Sequence, residues 1–219
     1  IIRKRIKQSI YQSLSGDRAG LMLGILIGDT TGISEDLQDD FGKTGLTHIL
    51  AVSGLNVGML LLICLGFLRF LGVKLHLQCL LTTLVIILYT LITRSEPSVL
   101  RASIMAIFGL GAWLLGKEKN LMAAISLAAL ALLIYDPFSL YNVGFQLSFA
   151  ATLAIIFLNP ILEKRLEAVP PRLRGDLSIC LAAQLGVAPL LVYYFNQISL
   201  ISLLANMLVI PANAPVLTL

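Results

Sequence analysis

Residues 46–62 read LTHILAVSGLNVGMLLL, and the apolar sequence that follows makes this segment long enough to enter a lipid bilayer. Three polar side chains, His48, Ser53 and Asn56, lie at the start of the apolar run. Polar groups at membrane depth are costly, so these residues are candidates for a functional lining. Ser53 and Asn56 are about 60° apart on an ideal helix, which makes them the better lining pair, with His48 more peripheral.

The composition places the chain among integral membrane proteins. It is 58% apolar and only 13% charged, whereas soluble domains have roughly 25% charged residues. The apolar residues occur in runs of about the 17–25 residues that a membrane helix needs, although some runs are shorter. We expect an all-α bundle of about seven transmembrane helices, some short or broken. The predicted spans are 49–68, 76–93, 99–115, 121–135, 145–159, 177–195 and 199–219.

Two parts of the chain differ in character. Residues 1–45 form a predicted interfacial segment, and residues 46–219 form a transmembrane domain that ends in apolar sequence and is therefore expected to be truncated. Residues 1–14 are basic, with isoleucine or leucine at every fourth position, a pattern typical of an amphipathic helix on a membrane surface. Ser34 precedes an acidic stretch and predicts a second, short helix with Ser34 as its N-cap.

Glycines at four-residue spacing predict close helix packing in two places. Gly20, Gly24 and Gly28 would form one smooth face if residues 20–28 are helical, and an irregular re-entrant turn is the alternative. Gly54 and Gly58 have the small-xxx-small spacing that lets two membrane helices approach closely.

The basic residues indicate a membrane orientation, because lysine and arginine concentrate in cytoplasmic connections. Alternate connections carry them, and this places residues 1–45 on the outer side. In the alternative, the basic residues of 1–7 are cytoplasmic and 21–27 are re-entrant. The basic residues of the alternate connections are Arg69, Lys74, Lys117, Lys119, Lys164, Arg165, Arg172 and Arg174.

Further polar residues are predicted at membrane depth. Arg101 lies one turn inside the third span, where its side chain would extend to the membrane surface or pair with Glu96. Arg94 and Glu96 would supply charge at an entrance. Asn142 and Gln146 are four residues apart and therefore share a helix face. For Asn56, Arg101 and Gln146, a lining role and a packing role remain equal alternatives.

No pattern in the sequence indicates catalysis, so we expect no enzyme activity, no cofactor and no metal site. Cys64, Cys79 and Cys180 lack the paired spacing of a zinc site or a disulfide framework. The segment Gly111–Lys117 matches the first part of a phosphate-binding loop, but Glu118 stands where a serine or threonine would hold magnesium.

Five motifs, taken in order, resemble the membrane "competence" domain of ComEC-type DNA-uptake channels. They are LIGD at 26–29, GLTHILAVSGLNVG at 45–58, PSVLRA at 97–102, DP at 136–137 and GFQLSF at 144–149. The resemblance implies a multi-pass protein of the bacterial cytoplasmic membrane that carries one DNA strand inward during natural transformation. It also implies four partners: single-stranded DNA, the lipid bilayer, other competence proteins and further domains of the same full-length protein.

Two departures limit what the resemblance implies. The family usually has histidine where this chain has Asn56, and no His/Asp cluster of a metallo-hydrolase occurs in the chain. Conduction is therefore the expected role, with Arg94 and Arg101 drawing phosphates and Phe145 and Phe149 offering stacking faces. The alternatives are a secondary transporter of a small anionic solute and a membrane scaffold that conducts nothing.

Overall fold

The computed structural model describes residues 2–46, 50, 52–117, 120–196, 202 and 205. Within these residues the fold is all-α, as predicted, and contains no strand. The helices are α1 (Ile2–Ser13), α2 (Asp17–Ile27), α3 (Glu35–Lys43), α4 (Gly54–Phe70), α5 (Leu75–Ile92), α6 (Pro97–Leu114), α7 (Leu121–Tyr135), α8 (Val143–Arg165) and α9 (Pro171–Phe195). A short 3₁₀ helix, Pro137–Tyr141, connects α7 to α8.

Four of the described helices, α5, α6, α8 and α9, are long and apolar enough to cross a membrane, and α4 and α7 are apolar but shorter. These six helices coincide with the first six predicted spans, and span 199–219 lies outside the described residues except for 202 and 205. Both α8 and α9 extend beyond the predicted ranges. The extra turns at 160–165 and 171–176 are rich in charged residues, so hydropathy alone does not detect them.

Helices α4, α5 and α6 pack against one another as a three-helix unit, and α7 packs against α6. The centre of the unit contains Val57, Cys79, Ile86, Val99 and Leu110, all buried. Burying these side chains in one cluster fixes which face of each helix points inward. The opposite faces of α4 and α5 carry exposed large apolar side chains, as expected of surfaces that a bilayer covers. Examples are Leu62, Phe67, Phe70, Leu80, Leu84 and Leu91.

Helices α8 and α9 form a hairpin with extensive mutual contact. Gly186 makes the close approach possible, since a β-carbon at this position would overlap Ala154 and lie 2.9 Å from the carbonyl oxygen of Ala150. The sequence analysis did not single out Gly186, because one glycine among larger residues gives no repeat.

The N-terminal glycines lie at close contacts of differing kinds. A β-carbon at Gly20 would overlap the carbonyl of Gly32, and one at Gly24 would lie 2.7 Å from the carbonyl oxygen of Leu50. The spacing predicted Gly28 on the same helix face as Gly20 and Gly24. Gly28 instead ends α2 in the left-handed conformation (φ 70°) and does not lie on that face. No atom of the described residues lies within 4 Å of a β-carbon built on Gly58, so the close contact predicted there is not found among them.

The N-terminal segment packs at one end of the membrane helices. The Arg3 guanidinium donates a hydrogen bond to the carbonyl oxygen of Ile92, the last residue of α5 (3.2 Å). Asn56, in the first turn of α4, donates to the carbonyl oxygen of Ile25 (2.8 Å). Both contacts lie at the end of the α4–α5 hairpin opposite the basic connection at 71–74. Arg3 and Ile25 therefore lie at the end opposite that connection, and the membrane orientation stays a prediction.

Candidate functional site

Arg101 is the most deeply placed cation in the described part of the apolar bundle. Its residue is only 9% exposed, and its Nη1 donates to the hydroxyl of Thr152 on α8. The guanidinium carbon lies 5.7 Å from the ring centre of Phe149, within the range of a cation–π contact. The Arg101 side chain therefore crosses from α6 to α8. The predicted snorkelling and pairing with Glu96 are both wrong, because the side chain turns inward while Glu96 is exposed.

The start of α6 crosses the start of α4 beside Arg101. The hydroxyl of Ser98 donates to the carbonyl oxygen of Val52 (3.0 Å). A β-carbon at Gly54 would lie 3.1 Å from Ala102 Cβ and 3.2 Å from Arg101 Nη2. Glycine at the first residue of α4 thus lets the guanidinium approach the helix backbone, and Gly54 lies at a close contact, as the spacing predicted.

Ser53 and Asn56 occupy different environments. Ser53 is the half-buried N-cap residue of α4, and its side chain makes no capping hydrogen bond. Asn56 is 3% exposed, and its hydrogen bond to Ile25 ties α4 to α2. The Tyr89 side chain faces Asn56, but neither the tyrosine hydroxyl nor Asn56 Oδ1 has a hydrogen-bond partner of normal geometry among the described residues. This placement favours the packing alternative for Asn56, and His48 lies outside the described residues.

The predicted pair Asn142 and Gln146 organises the start of α8. Asn142 is the exposed N-cap residue, and its side-chain oxygen accepts from the backbone N–H of Phe145 (3.2 Å). Gln146 donates to the carbonyl oxygen of Leu140 (2.9 Å) and accepts from the hydroxyl of Tyr194 on α9 (2.7 Å). Since Asn142 precedes the helix, the two side chains do not form the shared helical face that their spacing predicted.

The aromatic rings near Arg101 stack on each other. The Phe145 and Phe149 ring centres are 4.3 Å apart, with the planes tilted by 31°. Phe145 is buried, so it offers no open face to a base in this conformation, whereas Phe149 is half-buried and lies beneath the guanidinium.

The predicted entrance charges lie in the exposed turn between α5 and α6. Arg94 and Ser95 both adopt positive φ angles, 59° and 55°, which are uncommon for residues other than glycine. Glu96 follows as the N-cap residue of α6. This turn lies next to Ile92, whose carbonyl oxygen accepts the hydrogen bond from Arg3.

Asp29 is a buried acid that the sequence analysis left without a role. Its side chain is 7% exposed and forms ion pairs with Lys7 and with Arg3 (3.6 Å). The hydroxyl of Thr31 donates to the same carboxylate (2.6 Å). Burial alone would raise the pKa of Asp29, but the hydrogen bonds from Lys7 and Thr31 outweigh it and lower the pKa to about 2. The sequence feature that could have indicated this role is the LIGD motif at 26–29, which ends in Asp29.

A second set of polar residues between α5 and α6 was also missed. The hydroxyls of Thr90 and Ser103 are 2.7 Å apart in the buried interface between these helices. Thr82, two turns earlier on α5, is completely buried, and its hydroxyl has no hydrogen-bond partner among the described residues. Single threonines in an apolar helix are common, so their position in the sequence gave no signal.

The sequence profile of the Competence protein family matches residues 25–219, a range that includes Arg101, Gly54 and the α8–α9 hairpin. This chain belongs to the competence protein family. Together with its apolar helices, this membership makes it a membrane protein.

Two curated proteins are similar to this competence protein. ComE operon protein 3 of Bacillus subtilis (strain 168) is 34% identical over 211 residues, which cover 96% of this chain and 26% of that protein. An uncharacterized protein of Escherichia coli (strain K12), YcaI, is 29% identical over 194 residues, which cover 82% of this chain and 25% of that protein. The chain thus spans about a quarter of the length of the curated relatives it matches. No solved structure shows significant similarity to it.

Proposed function

We propose that this chain is the membrane part of a channel that conducts single-stranded DNA across the bacterial cytoplasmic membrane during natural transformation. The family membership supports a role in competence, and the name of the Bacillus relative points the same way. The proposal assigns conduction to these residues, with no reaction catalysed by them.

The observation that carries the proposal is the environment of Arg101. An arginine that is 9% exposed in an apolar helix bundle is costly, and such residues mark ion or substrate pathways. Arg101 contacts a hydroxyl, Thr152, and an aromatic ring, Phe149, which are the group types expected along the path of a polyanion with bases. Conduction also requires binding sites that release the strand again. A single cation at a given depth in the membrane meets this condition better than a cluster of cations.

A transporter of a small anionic solute would use similar groups but a different passage. Two open pockets in the described part of the chain do not decide between these possibilities. One, of about 340 Å³, lies between α6 and α7 near Leu100 and Tyr135, and the other, of about 350 Å³, lies beside Glu163 and Arg174. Neither is lined by Arg101 or Gln146.

The experiment that tests the proposal is a flux measurement on vesicles that contain the full-length protein. We expect labelled single strands, from short oligonucleotides to kilobase lengths, to become protected from added nuclease inside the vesicles. Empty vesicles and vesicles with duplex DNA are the controls. Entry of inorganic phosphate or chloride without protection of any strand would refute strand conduction and support the transporter. If no strand is protected and no anion enters, the result would support a membrane scaffold that conducts nothing.

A further inference from the structure

Arg101 is a buried cation with no acidic partner among the described residues. Within the described ranges it takes part in no ion pair, and its buried Nε has no hydrogen-bond partner. The nearest acid along the chain, Glu96, is exposed in the preceding turn, and the buried carboxylate of Asp29 is already paired with Lys7 and Arg3. Because a buried charge without a counter-charge is strongly unfavourable, an anion bound beside Arg101 would stabilise the site.

The N-terminus of α4 adds a second positive element at the same place. The first N–H groups of a helix have no intrahelical partner and carry a partial positive charge. Ser53, which precedes them, makes no side-chain capping bond. Arg101 Nη2 would be only 3.2 Å from a β-carbon at Gly54, so the guanidinium and the helix start face the same small volume. Glycine at this position lets the guanidinium lie close to the helix backbone, and helix starts bind phosphate and other oxyanions.

We propose that the Arg101 guanidinium and the first backbone N–H groups of α4 form a binding site for one phosphodiester group of the conducted strand. The proposal rests on the proposed function and names the atoms that hold the strand. The planar guanidinium suits a phosphodiester, whose two free oxygens can accept parallel hydrogen bonds. Thr152 holds one edge of the guanidinium and Phe149 one face. The other edge, with Nη2, lies beside the start of α4.

The positive charge of the site is modest. It combines one full positive charge with the partial charge of one helix start, about half an elementary charge. This sum, about 1.5 elementary charges, exceeds the single negative charge of a phosphodiester, and successive phosphates of a strand could exchange at such a site one at a time. Inorganic phosphate and phospholipid headgroups share this chemistry, so the test must separate them from the strand.

The test measures strand binding to the full-length protein in vesicles of neutral lipid. Three probes are compared: a single-stranded oligonucleotide, the same sequence with an uncharged methylphosphonate backbone, and inorganic phosphate as a competitor. The variants are Arg101→Met, which removes the charge, Arg101→Lys, which keeps the charge but loses the planar fork, and Gly54→Ala, which fills the space beside the guanidinium. Arg69→Gln, at an exposed cation near the end of α4, is the matched control.

For Arg101→Met we expect about tenfold to hundredfold weaker binding of the charged strand, and a salt dependence reduced by about one phosphate contact. The affinities of Arg101→Lys and Gly54→Ala for the charged strand should fall between those of this variant and the native protein. The affinity of Arg69→Gln should match that of the native protein, and the uncharged strand should bind to all variants with equal affinity. The proposal is overturned if Arg101→Met binds the charged strand like the native protein or weakens both strands equally. It is also overturned if Arg101 matters only after anionic lipid is added, which would make the ligand a headgroup. Because native vesicles report strand entry independently, either result leaves the proposed conduction standing.

Discussion

Replacing Asp29 by asparagine should release the amphipathic helix α1 from the rest of the protein. The Asp29 carboxylate holds α1 through Lys7 and Arg3, and it lies in the loop that follows α2. Asparagine has the same shape and can still accept the hydrogen bond from Thr31, so the substitution removes the charge and little else.

The pKa of Asp29 sets the size of the effect. It is lowered from 3.8 to about 2, and each pKa unit corresponds to about 1.4 kcal/mol of preference for the charged form. The full shift is therefore about 2.5 kcal/mol. Because the Lys7 side chain is 36% exposed, solvent screening reduces the expected contribution to about 1–2 kcal/mol.

The same shift fixes the pH dependence. A carboxylate whose pKa is lower in the folded protein stabilises the fold at pH values above its unfolded pKa, about 4. That contribution is lost as the pH falls from about 4 through about 2, where Asp29 takes up a proton in the folded protein.

Hydrogen exchange of the α1 backbone in detergent-solubilised protein measures this contribution directly. At neutral pH we expect α1 of the Asp29→Asn variant to exchange about fivefold to thirtyfold faster than the native helix, as 1–2 kcal/mol implies. The native protein should approach the variant's rate at about pH 2 after correction for intrinsic exchange. Asp40→Asn removes an exposed pair with Lys43 and should leave α1 unchanged. Equal protection of α1 in the native protein and the Asp29→Asn variant at neutral pH would refute the reasoning.

Two further substitutions test the packing. Gly186→Leu should destabilise the α8–α9 hairpin by about 1–3 kcal/mol through overpacking, because a side chain there would overlap Ala154. The control, Gly111→Leu on α6, should not destabilise the protein, because no atom of the described residues lies within 4 Å of a β-carbon there. Equal Tm values for the two variants in detergent would contradict the close approach of α8 and α9. Ser95→Gly should raise stability by about 0.5–1 kcal/mol by relieving the positive φ of 55°, and a lower Tm than that of the native protein would show that the turn is not strained.

The sequence predicts the helices well and their contacts poorly, for reasons that particular residues show. The span 121–135 agrees with α7 to the residue because Asn120 caps the helix and the polar Asp136 follows its end. Hydropathy is a local property, so it reports such boundaries. The start of α9 was missed because residues 171–176 form helix outside the apolar range.

Contacts between helices depend on rotation and depth, which spacing does not determine. Gly54 and Gly58 have equivalent positions in one motif, yet among the helices that the structure describes only Gly54 lies against another helix, because α6 crosses α4 at its first turn. Asn142 and Gln146 have the spacing of a shared helical face, but the helix begins after Asn142, so the first residue caps and the second bridges to α9. A single sequence contains no information on either crossing point.

Asp29 and Arg101, two buried ionic residues in the described part of the chain, differ in how their charges are compensated. Asp29 has two cations and a hydroxyl around its carboxylate, so its charge is fully compensated within the chain. Arg101 has a hydroxyl and an aromatic ring, which orient a guanidinium without neutralising it. If Arg101 served packing alone, an uncharged residue of similar volume would fill the same space without the desolvation cost. Under the proposed function, an anion that occupies the site only in passing, such as a strand moving one phosphate at a time, accounts for the charge of Arg101.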